Sequence, residues 1–514
     1  MRQLSTNVLG LSLLLLAACG GDYSSGGSYG TAEPSSNEGD NYDSVGTNPF
    51  TLTAHDPLST FGADVDTASY DIFVRDIESG VLPQADSVRL EEYVNFFRYD
   101  YEAPDNDAAE PFSLFLDAAP SVLNDTTTLR VGMQAVQPPP EGKRPANLVF
   151  LVDISGSMTS SQKLPLVKQV LRETLAILDP TDTVSIVTYA GATGVALVPT
   201  PVSQREEIEA VINSFDAGGG TAGAAGIDLA YGQAEDAFLE GGINHIILCS
   251  DGDFNVGPSS TEELVELIEE KRTSGITLTV LGFGVGNLND AMMELISNKG
   301  NGIYGVISSE RSASQYVEER MLSSFNIVAK DVKLQVEFNP EYVLAYRLLG
   351  YENRAIDDND FRNDGIDAGE IGAGHQVTAL YELVLTGKSI PSPSDAPAIV
   401  DGEPFTGERE IDAADMALVK IRYKDPSASV EDPAYEVSTS IATSDIAPLI
   451  ESADPDLAWA LSIAAFAEIL KGSPYADKDA LPTIRDIVTA DAQSGGHRVE
   501  FAQYFAVAMT QLEL

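Results

Sequence analysis

The segment Asn147-Leu-Val-Phe-Leu-Val-Asp153 is followed directly by Ile154-Ser-Gly-Ser-Met158. Residues 148–152 are apolar without a break, which is typical of a strand buried on both faces of a parallel sheet. The polar residues begin where this strand is predicted to end. In open parallel sheets, ligands bind at the edge where strands end and helices begin. The segment therefore predicts a parallel α/β fold with a binding site at one edge of its sheet.

The same alternation of apolar strands and amphipathic helices continues to about residue 326. Further strand patterns occupy residues 183–189, 245–249, 277–283 and 302–307. Helical periodicity recurs between them near residues 164–178, 205–215, 224–238, 261–272, 291–297 and 312–324. Residues 195–198 suit an antiparallel edge strand. We therefore predict that residues 147–326 form a doubly wound, mostly parallel α/β domain.

Two further polar turns fall at the same predicted edge. Asp251-Gly-Asp253 follows the strand at 245–249, and Thr221 follows three glycines just before the next helix. Hard divalent cations prefer carboxylate, hydroxyl and water oxygens. The predicted metal ligands are Asp153, Ser155, Ser157, Thr221 and Asp251. The alternative is that Asp153 and Ser155 only cap the following helix, but three separate pieces at one edge favour the metal site.

These segments are similar to one known family. Asn147–Met158, Gly219-Gly-Thr-Ala-Gly223 and Ser250-Asp-Gly-Asp-Phe-Asn-Val-Gly257 resemble a von Willebrand factor type A domain with a complete metal-ion-dependent adhesion site. The resemblance implies that the serines and Thr221 offer hydroxyl ligands, and that the two aspartates bind directly or through water. It also implies Mg²⁺ as the usual ion, with Mn²⁺ or Ca²⁺ as alternatives.

The similarity extends to both sides of this domain. Thr60-Phe-Gly-Ala-Asp-Val-Asp-Thr-Ala-Ser-Tyr70 and Leu90-Glu-Glu-Tyr-Val-Asn-Phe96 resemble the N-terminal module of the bacterial YfbK-type von Willebrand A lipoproteins. Tyr351-Glu-Asn-Arg354 and Asp367-Ala-Gly-Glu-Ile-Gly-Ala-Gly-His375 resemble the C-terminal module. We predict a helical and then β module over residues 50–146, and a β and then helical module over 327–514. Strand patterns on both sides suggest that the α/β domain is inserted into a β-sandwich.

The N-terminus predicts a lipid anchor. Residues 1–18 read as a signal peptide whose apolar run is too short to span a bilayer. The run ends in Leu-Ala-Ala-Cys19, which resembles a bacterial lipobox with Cys19 as the lipidated residue. Residues 19–49 are rich in Gly, Ser and acidic residues and predict a flexible tether. The residue after Cys19 is Gly20 and not an Asp, which resembles the signal that sends such lipoproteins to the outer membrane of the bacterial envelope.

The charge balance and the remaining motifs exclude several functions. Thirty Lys+Arg against 79 Asp+Glu give a net charge of −49, so the surface repels nucleic acid and anionic lipid head groups. No phosphate-binding glycine loop with the required spacing is present, so no nucleotide site is predicted. The four histidines are scattered, which argues against zinc. The acidic residues of 357–370 predict a surface loop, with a weak Ca²⁺ site as the alternative.

A metal held by two carboxylates and three hydroxyls leaves one coordination position open. An Asp or Glu side chain from a partner can fill it, so we predict a protein-binding module rather than an enzyme. Two other functions stay open at this point. One is an accessory subunit of a membrane or transport complex, and the other is a metal-assisted hydrolase using Asp253 as its base.

Overall fold

The computed structural model describes residues 39–137, 144–220, 223–252, 261–284, 286–429, 432–492 and 495–512. None of the helices in these ranges is both long and apolar enough to cross a membrane. Cys19, Thr221 and Asp253 lie outside the described residues.

The segment before the α/β domain begins with strands rather than helices. Its elements are β1 (Thr51–Leu52), β2 (Leu58–Gly62), α1 (Ala68–Glu78), α2 (Leu90–Phe96), β3 (Phe112–Pro120) and β4 (Thr127–Ala135). The expected order, helical and then β, therefore needs correction at its start. β1 and β2 are too short for the alternation of apolar and polar residues to reveal them.

The α/β domain has the predicted mostly parallel sheet. Its strands are β5 (Ala146–Asp153), β6 (Thr183–Tyr189), β7 (Thr193–Pro201), β8 (Ile243–Ser250), β9 (Thr277–Phe283) and β10 (Tyr304–Ile307). Its helices are α3 (Leu164–Ile177), α4 (Arg205–Asn213), α5 (Gly223–Asp236), α6 (Thr261–Arg272), α7 (Asp290–Lys299), α8 (Glu310–Tyr316) and α9 (Leu322–Phe325). The sheet order is β10-β9-β8-β5-β6-β7, and only β7, at the edge, is antiparallel. All eight residues of β5 are buried, as expected for a central strand covered on both faces.

The segment after this domain supplies more strands and then three helices. The strands are β11 (Ile327–Phe338), β12 (Val343–Leu349), β13 (Gly369–Gly372), β14 (Gln376–Leu385), β15 (Ala417–Lys424) and β16 (Tyr435–Ile441). The helices are α10 (Pro455–Lys471), α11 (Leu481–Asp491) and α12 (His497–Leu512). Asp454 caps α10 by accepting hydrogen bonds from the N–H groups of Asp456 and Leu457, and Gly472 ends it in the left-handed conformation (φ 71°).

Strands from before and after the α/β domain share two antiparallel sheets. One sheet has the order β1-β12-β14-β4-β3, so β4 and β14 pair across the inserted domain. In the other, β2 pairs with β11, which also pairs with β13 and β15. Apolar residues of both sheets pack into a single core. The α/β domain is thus an insertion in a sandwich that the two flanking segments build jointly.

The flanking helices also pack together. α1 and α2 share one apolar core with α10, α11 and α12. The Phe73 ring of α1 lies 5.6 Å from Phe466 of α10, and Phe466 lies 5.6 Å from Phe501 of α12. α1 also packs against β10 of the α/β domain, so this helical layer and the inserted domain are in contact.

The end of the predicted tether is bound to the folded body. Asp40 forms an ion pair with Arg75 at 2.9 Å and accepts a hydrogen bond from the N–H of Leu288 at 2.8 Å. Asn48 Nδ2 donates to the carbonyl of Leu348 at 3.0 Å. The prediction of a free tether up to residue 49 is therefore wrong for residues 40–48. Ion pairs, hydrogen bonds and the half-buried Tyr42 ring fix this stretch, and composition alone does not reveal such contacts.

Candidate metal site

Asp153 and Asp251 lie side by side at one edge of the parallel sheet. Asp153 is the last residue of β5, and Asp251 follows the last residue of its neighbour β8. The two strands run parallel with Val152 opposite Cys249, so both strands end at the same edge of the sheet. Both aspartates are 0% exposed. Burial of two carboxylates this close is costly unless a cation compensates them.

The loop after β5 directs two hydroxyls to the same region. The N–H of Ser155 donates to Asp153 Oδ1 at 2.8 Å, and the Oγ atoms of Ser155 and Ser157 lie 2.9 Å apart. Ser250 Oγ donates to Asp153 Oδ2 at 3.2 Å. Ser155 precedes a short 3₁₀ turn, but its side chain makes no capping hydrogen bond. The hydroxyls of this loop therefore face each other rather than the helix end.

Asp251 has partners that the sequence did not indicate. Lys163 Nζ, at the start of α3, donates to Asp251 Oδ2 at 2.8 Å and to Asn287 Oδ1 at 2.5 Å. Asn287 Nδ2 also donates to Asp251 Oδ2 at 3.1 Å. Burial alone would raise the pKa of Asp251, but the hydrogen bonds from Lys163 and Asn287 and the ammonium charge hold it below its usual range.

Asp153 is in a different electrostatic situation. Burial raises its pKa to about 6, the hydrogen bonds from Ser155 and Ser250 oppose the rise, and the Asp251 carboxylate adds to it. Among the described residues, no lysine or arginine pairs with Asp153. A buried carboxylate beside two hydroxyls, without a cationic partner in that part of the chain, fits a hard divalent cation. Lys163 supplies one positive charge on the Asp251 side, which lowers the need for a second there.

The glycine turn before Thr221 is attached to the same loop. The N–H of Gly218 donates to the carbonyl of Ile154 at 2.8 Å, and the N–H of Gly156 donates to the carbonyl of Gly219 at 3.1 Å. A Cβ on Gly156 would lie only 3.3 Å from the Gly219 oxygen, so the two loops meet closely. The glycine turn thus lies next to the loop of Ser155 as far as it is described.

A second carboxylate cluster lies between the α/β domain and its flanks. Asp64, Asp66 and Glu294 offer oxygens within 4.8 Å of one another. The Arg354 guanidinium lies at 3.1 Å from an oxygen of each of the three. Within this cluster, Asp64 accepts a hydrogen bond from the N–H of Asp66 at 3.0 Å. Their larger role is structural, because they join the Thr60–Tyr70 motif to the Tyr351–Arg354 motif through one arginine.

The same network holds the start of α7. Arg89, which precedes α2, donates to both oxygens of Asp290 at 2.6 and 3.2 Å. Asp290 is the first residue of α7, three residues after Asn287 at the metal site. The helix that follows the Asn287 loop is therefore held by Arg89 at Asp290 and by Arg354 at Glu294.

The other candidates do not form sites in the described ranges. His245 is buried with its Nδ1 at 2.6 Å from Thr277 Oγ1, and His497 pairs with Glu319 at 2.8 Å. The acidic residues of 357–370 bind separate partners: Asp364 accepts from Arg422, and Asp367 pairs with Arg272. Cys249 is buried as a free thiol.

The comparison with known proteins agrees with this architecture. A family model for the von Willebrand factor type A domain matches residues 147–319, one named von Willebrand factor matches 36–130, and one for the C-terminal part of uncharacterized protein YfbK matches 323–510. Uncharacterized protein YfbK of Escherichia coli (strain K12) is 36% identical over 481 residues, which cover 91% of this chain and 80% of that protein.

Two solved structures are more loosely similar. A von Willebrand factor type A protein from Catenulispora acidiphila has 15% identity and a TM-score of 0.42, covering 77% of this chain and 89% of that one. Proximal thread matrix protein 1 from the mussel byssus, solved with zinc in its adhesion-site motif, has 18% identity and a TM-score of 0.30. That similarity covers 35% of this chain and 47% of the mussel protein.

A mostly parallel six-stranded sheet, with paired aspartates and serines at its carboxyl edge, makes the inserted domain a von Willebrand factor type A domain. The two family models that match residues 36–130 and 323–510 cover the sandwich and the helices around this domain. Because the identity to the Escherichia coli protein extends over 91% of this chain, the chain belongs to the YfbK family.

Proposed function

We propose that this chain is a lipid-anchored envelope protein that binds a carboxylate of a protein partner through a bound divalent metal. The observation that supports it most is the pair of buried aspartates beside the Ser155 and Ser157 hydroxyls. Asp153, Ser155, Ser157 and Asp251 would hold the metal together with Thr221. Mg²⁺ is the proposed ion, because all five residues offer oxygen ligands. The bound metal supplies a local positive charge to which an Asp or Glu of the partner can bind.

We infer binding rather than catalysis from the described groups around this edge. The charged side chain that the structure adds to the predicted set is Lys163, and its ammonium is bound to Asp251 and Asn287. An ammonium held in that way is a poor proton acceptor. No histidine contacts the two aspartates in the described part of the chain, so we propose no general base here.

The proposed lipid anchor would tether the folded body to the membrane. Asn41 pairs through its backbone with Leu288, so the chain enters the folded body beside the Asn287 loop. Nineteen residues separate Cys19 from Gly39, and such a length spans at most roughly 70 Å when fully extended. A lipid on Cys19 would therefore keep this edge of the domain within reach of partners in the same membrane. Outer-membrane placement rests on Gly20 and is part of the proposal.

Crosslinking in intact cells tests the partner-binding claim. Wild-type chain should crosslink to a defined protein in Mg²⁺, and the product should disappear with EDTA or with Asp153→Asn. An unchanged product under both conditions would contradict metal-dependent capture. Fractionation of Cys19→Ser cells tests the anchor separately, since loss of lipid should move the protein out of the membrane fraction.

A further inference from the structure

A groove begins where the metal-site loop ends. It has a volume of about 510 Å³ and runs between the first turns of α3 and the segment that follows α4. Its floor consists of Met158, Leu164 and Phe215, each at most 5% exposed. A groove of this volume is large enough for a short peptide segment, since sites for drug-sized ligands have roughly 300–1,000 Å³.

The wall of the groove carries two cations in a strongly acidic protein. Lys168 and Arg172 line it one helical turn apart on α3, and both are half-buried. Lys168 Nζ donates to the carbonyl of Phe215 at 2.6 Å, and Arg172 Nη2 donates to Asn213 Oδ1 at 2.5 Å. Neither forms an ion pair with a carboxylate of the described residues. Asp216 is the opposing charge at the rim, so the lining carries a net charge of +1.

The groove is continuous with the metal site at both of its walls. Met158 directly follows Ser157, and Ala217 directly precedes the glycine turn that leads to Thr221. The N–H of Gly218 is bonded to the carbonyl of Ile154, which keeps these two walls together. A ligand whose carboxylate sits on the metal would therefore extend into this groove along α3.

We infer that this groove binds the chain that flanks the metal-bound acid of the partner, and that it selects an extended segment with an apolar residue and a second carboxylate. The inference rests on the proposed metal-dependent capture of an acidic side chain. The apolar residue would cover the floor at Phe215 and Leu164, while the second carboxylate would pair with Lys168 and Arg172. Charge complementarity favours this occupant, because these cations stand out on a surface of net charge −49.

A displayed library of random peptides tests this specificity with the full-length chain. Selection in Mg²⁺ should enrich peptides with two acidic residues separated by an apolar one, and EDTA should release them. Binding of these peptides should fall by about tenfold or more in Lys168→Glu/Arg172→Glu. The matched control is Lys388→Glu/Arg485→Glu, which makes the same charge change at exposed positions elsewhere and should bind as the wild type does.

The outcomes separate this inference from the proposed function. Mg²⁺-dependent peptides with a single acid, bound equally by both double variants, would overturn the groove and leave metal-dependent capture standing. Failure to enrich any Mg²⁺-dependent peptide would overturn both. Tighter peptide binding by Glu33→Gln/Glu38→Gln would identify the chain's own acidic segment as the occupant and overturn the inference. If the charge reversals impair folding, Lys168→Gln/Arg172→Gln should still weaken binding while Mg²⁺ stabilises the protein normally.

Discussion

Replacing Asp153 with asparagine should stabilise the protein in the absence of metal and remove its stabilisation by metal. Burial raises the pKa of Asp153 from 3.8 to about 6. Each pKa unit corresponds to about 1.4 kcal/mol, so ionising this buried acid costs roughly 3 kcal/mol. An acid with a raised folded pKa contributes stability below its unfolded pKa, and that stability is lost as the pH rises through the folded value. Near neutral pH the full cost is present.

Asparagine fits the site without the charge. Its carbonyl oxygen can still accept the hydrogen bond from the Ser155 N–H, and its amide can donate to Ser250 Oγ in place of the present bond. In EDTA, urea unfolding should therefore show a gain of up to about 3 kcal/mol for Asp153→Asn. In Mg²⁺, the wild type should gain stability and the variant should not.

The matched control is Asp182→Asn at the opposite end of the same sheet. Asp182 is buried, and its two oxygens accept hydrogen bonds from the N–H groups of Ala146 and Asp179. An amide can accept only one of them, so this variant should lose stability and keep its response to Mg²⁺. Two results would refute the reasoning about Asp153: a loss of stability in EDTA, which would assign it a capping role, or a Mg²⁺ response equal to that of the wild type.

Three further predictions follow from other buried groups. Lys163→Met removes the ammonium from Asp251, so the affinity for Mn²⁺ measured by calorimetry should rise at least about tenfold. Weaker Mn²⁺ binding would show instead that Lys163 helps to form the metal site. Burial lowers the pKa of His375 to about 3, so the stability that depends on the neutral imidazole is present above its unfolded pKa near 6.5 and is lost as the pH falls. Between pH 7 and about pH 5, the free energy of unfolding should therefore fall by about 2 kcal/mol less for His375→Gln than for the wild type. An equal fall in both proteins would contradict burial of His375 in the neutral form. Arg354→Met leaves Asp64, Asp66 and Glu294 without their shared cation, so it should lower the free energy of unfolding in urea by about 3–5 kcal/mol. The control Arg362→Met, at an exposed arginine, should lower it by less than about 1 kcal/mol. Equal small losses would show that the network contributes little.

The α/β domain could be predicted from the sequence because its strands are continuous apolar runs. Burial on both faces makes such runs recognisable, and the polar residues after them mark the sheet edge. The antiparallel edge strand predicted at residues 195–198 is confirmed as part of β7. A strand such as β16 (Tyr435–Ile441) cannot be predicted in this way, because it lies at a sheet edge and its mostly exposed polar residues carry little hydrophobic signal.

The remaining features depend on contacts between distant segments. The pairing of β4 with β14 joins residues about 250 positions apart, and periodicity carries no information on partner choice. Lys163 and Asn287 were missed because a lysine at a helix start and an asparagine in a loop have no pattern of their own. Asp64 and Arg354 were recognised in separate motifs, but only the fold shows that they form one ion network.

Anomalous diffraction from crystals grown with Mn²⁺ tests the central claim most directly. If the site binds a divalent metal, the map should show one strong peak in contact with the carboxylate of Asp153 and the hydroxyls of Ser155 and Ser157, and the peak should be absent from Asp153→Asn. A peak among Asp64, Asp66 and Glu294 instead, or none at the edge where β5 and β8 end, would contradict it.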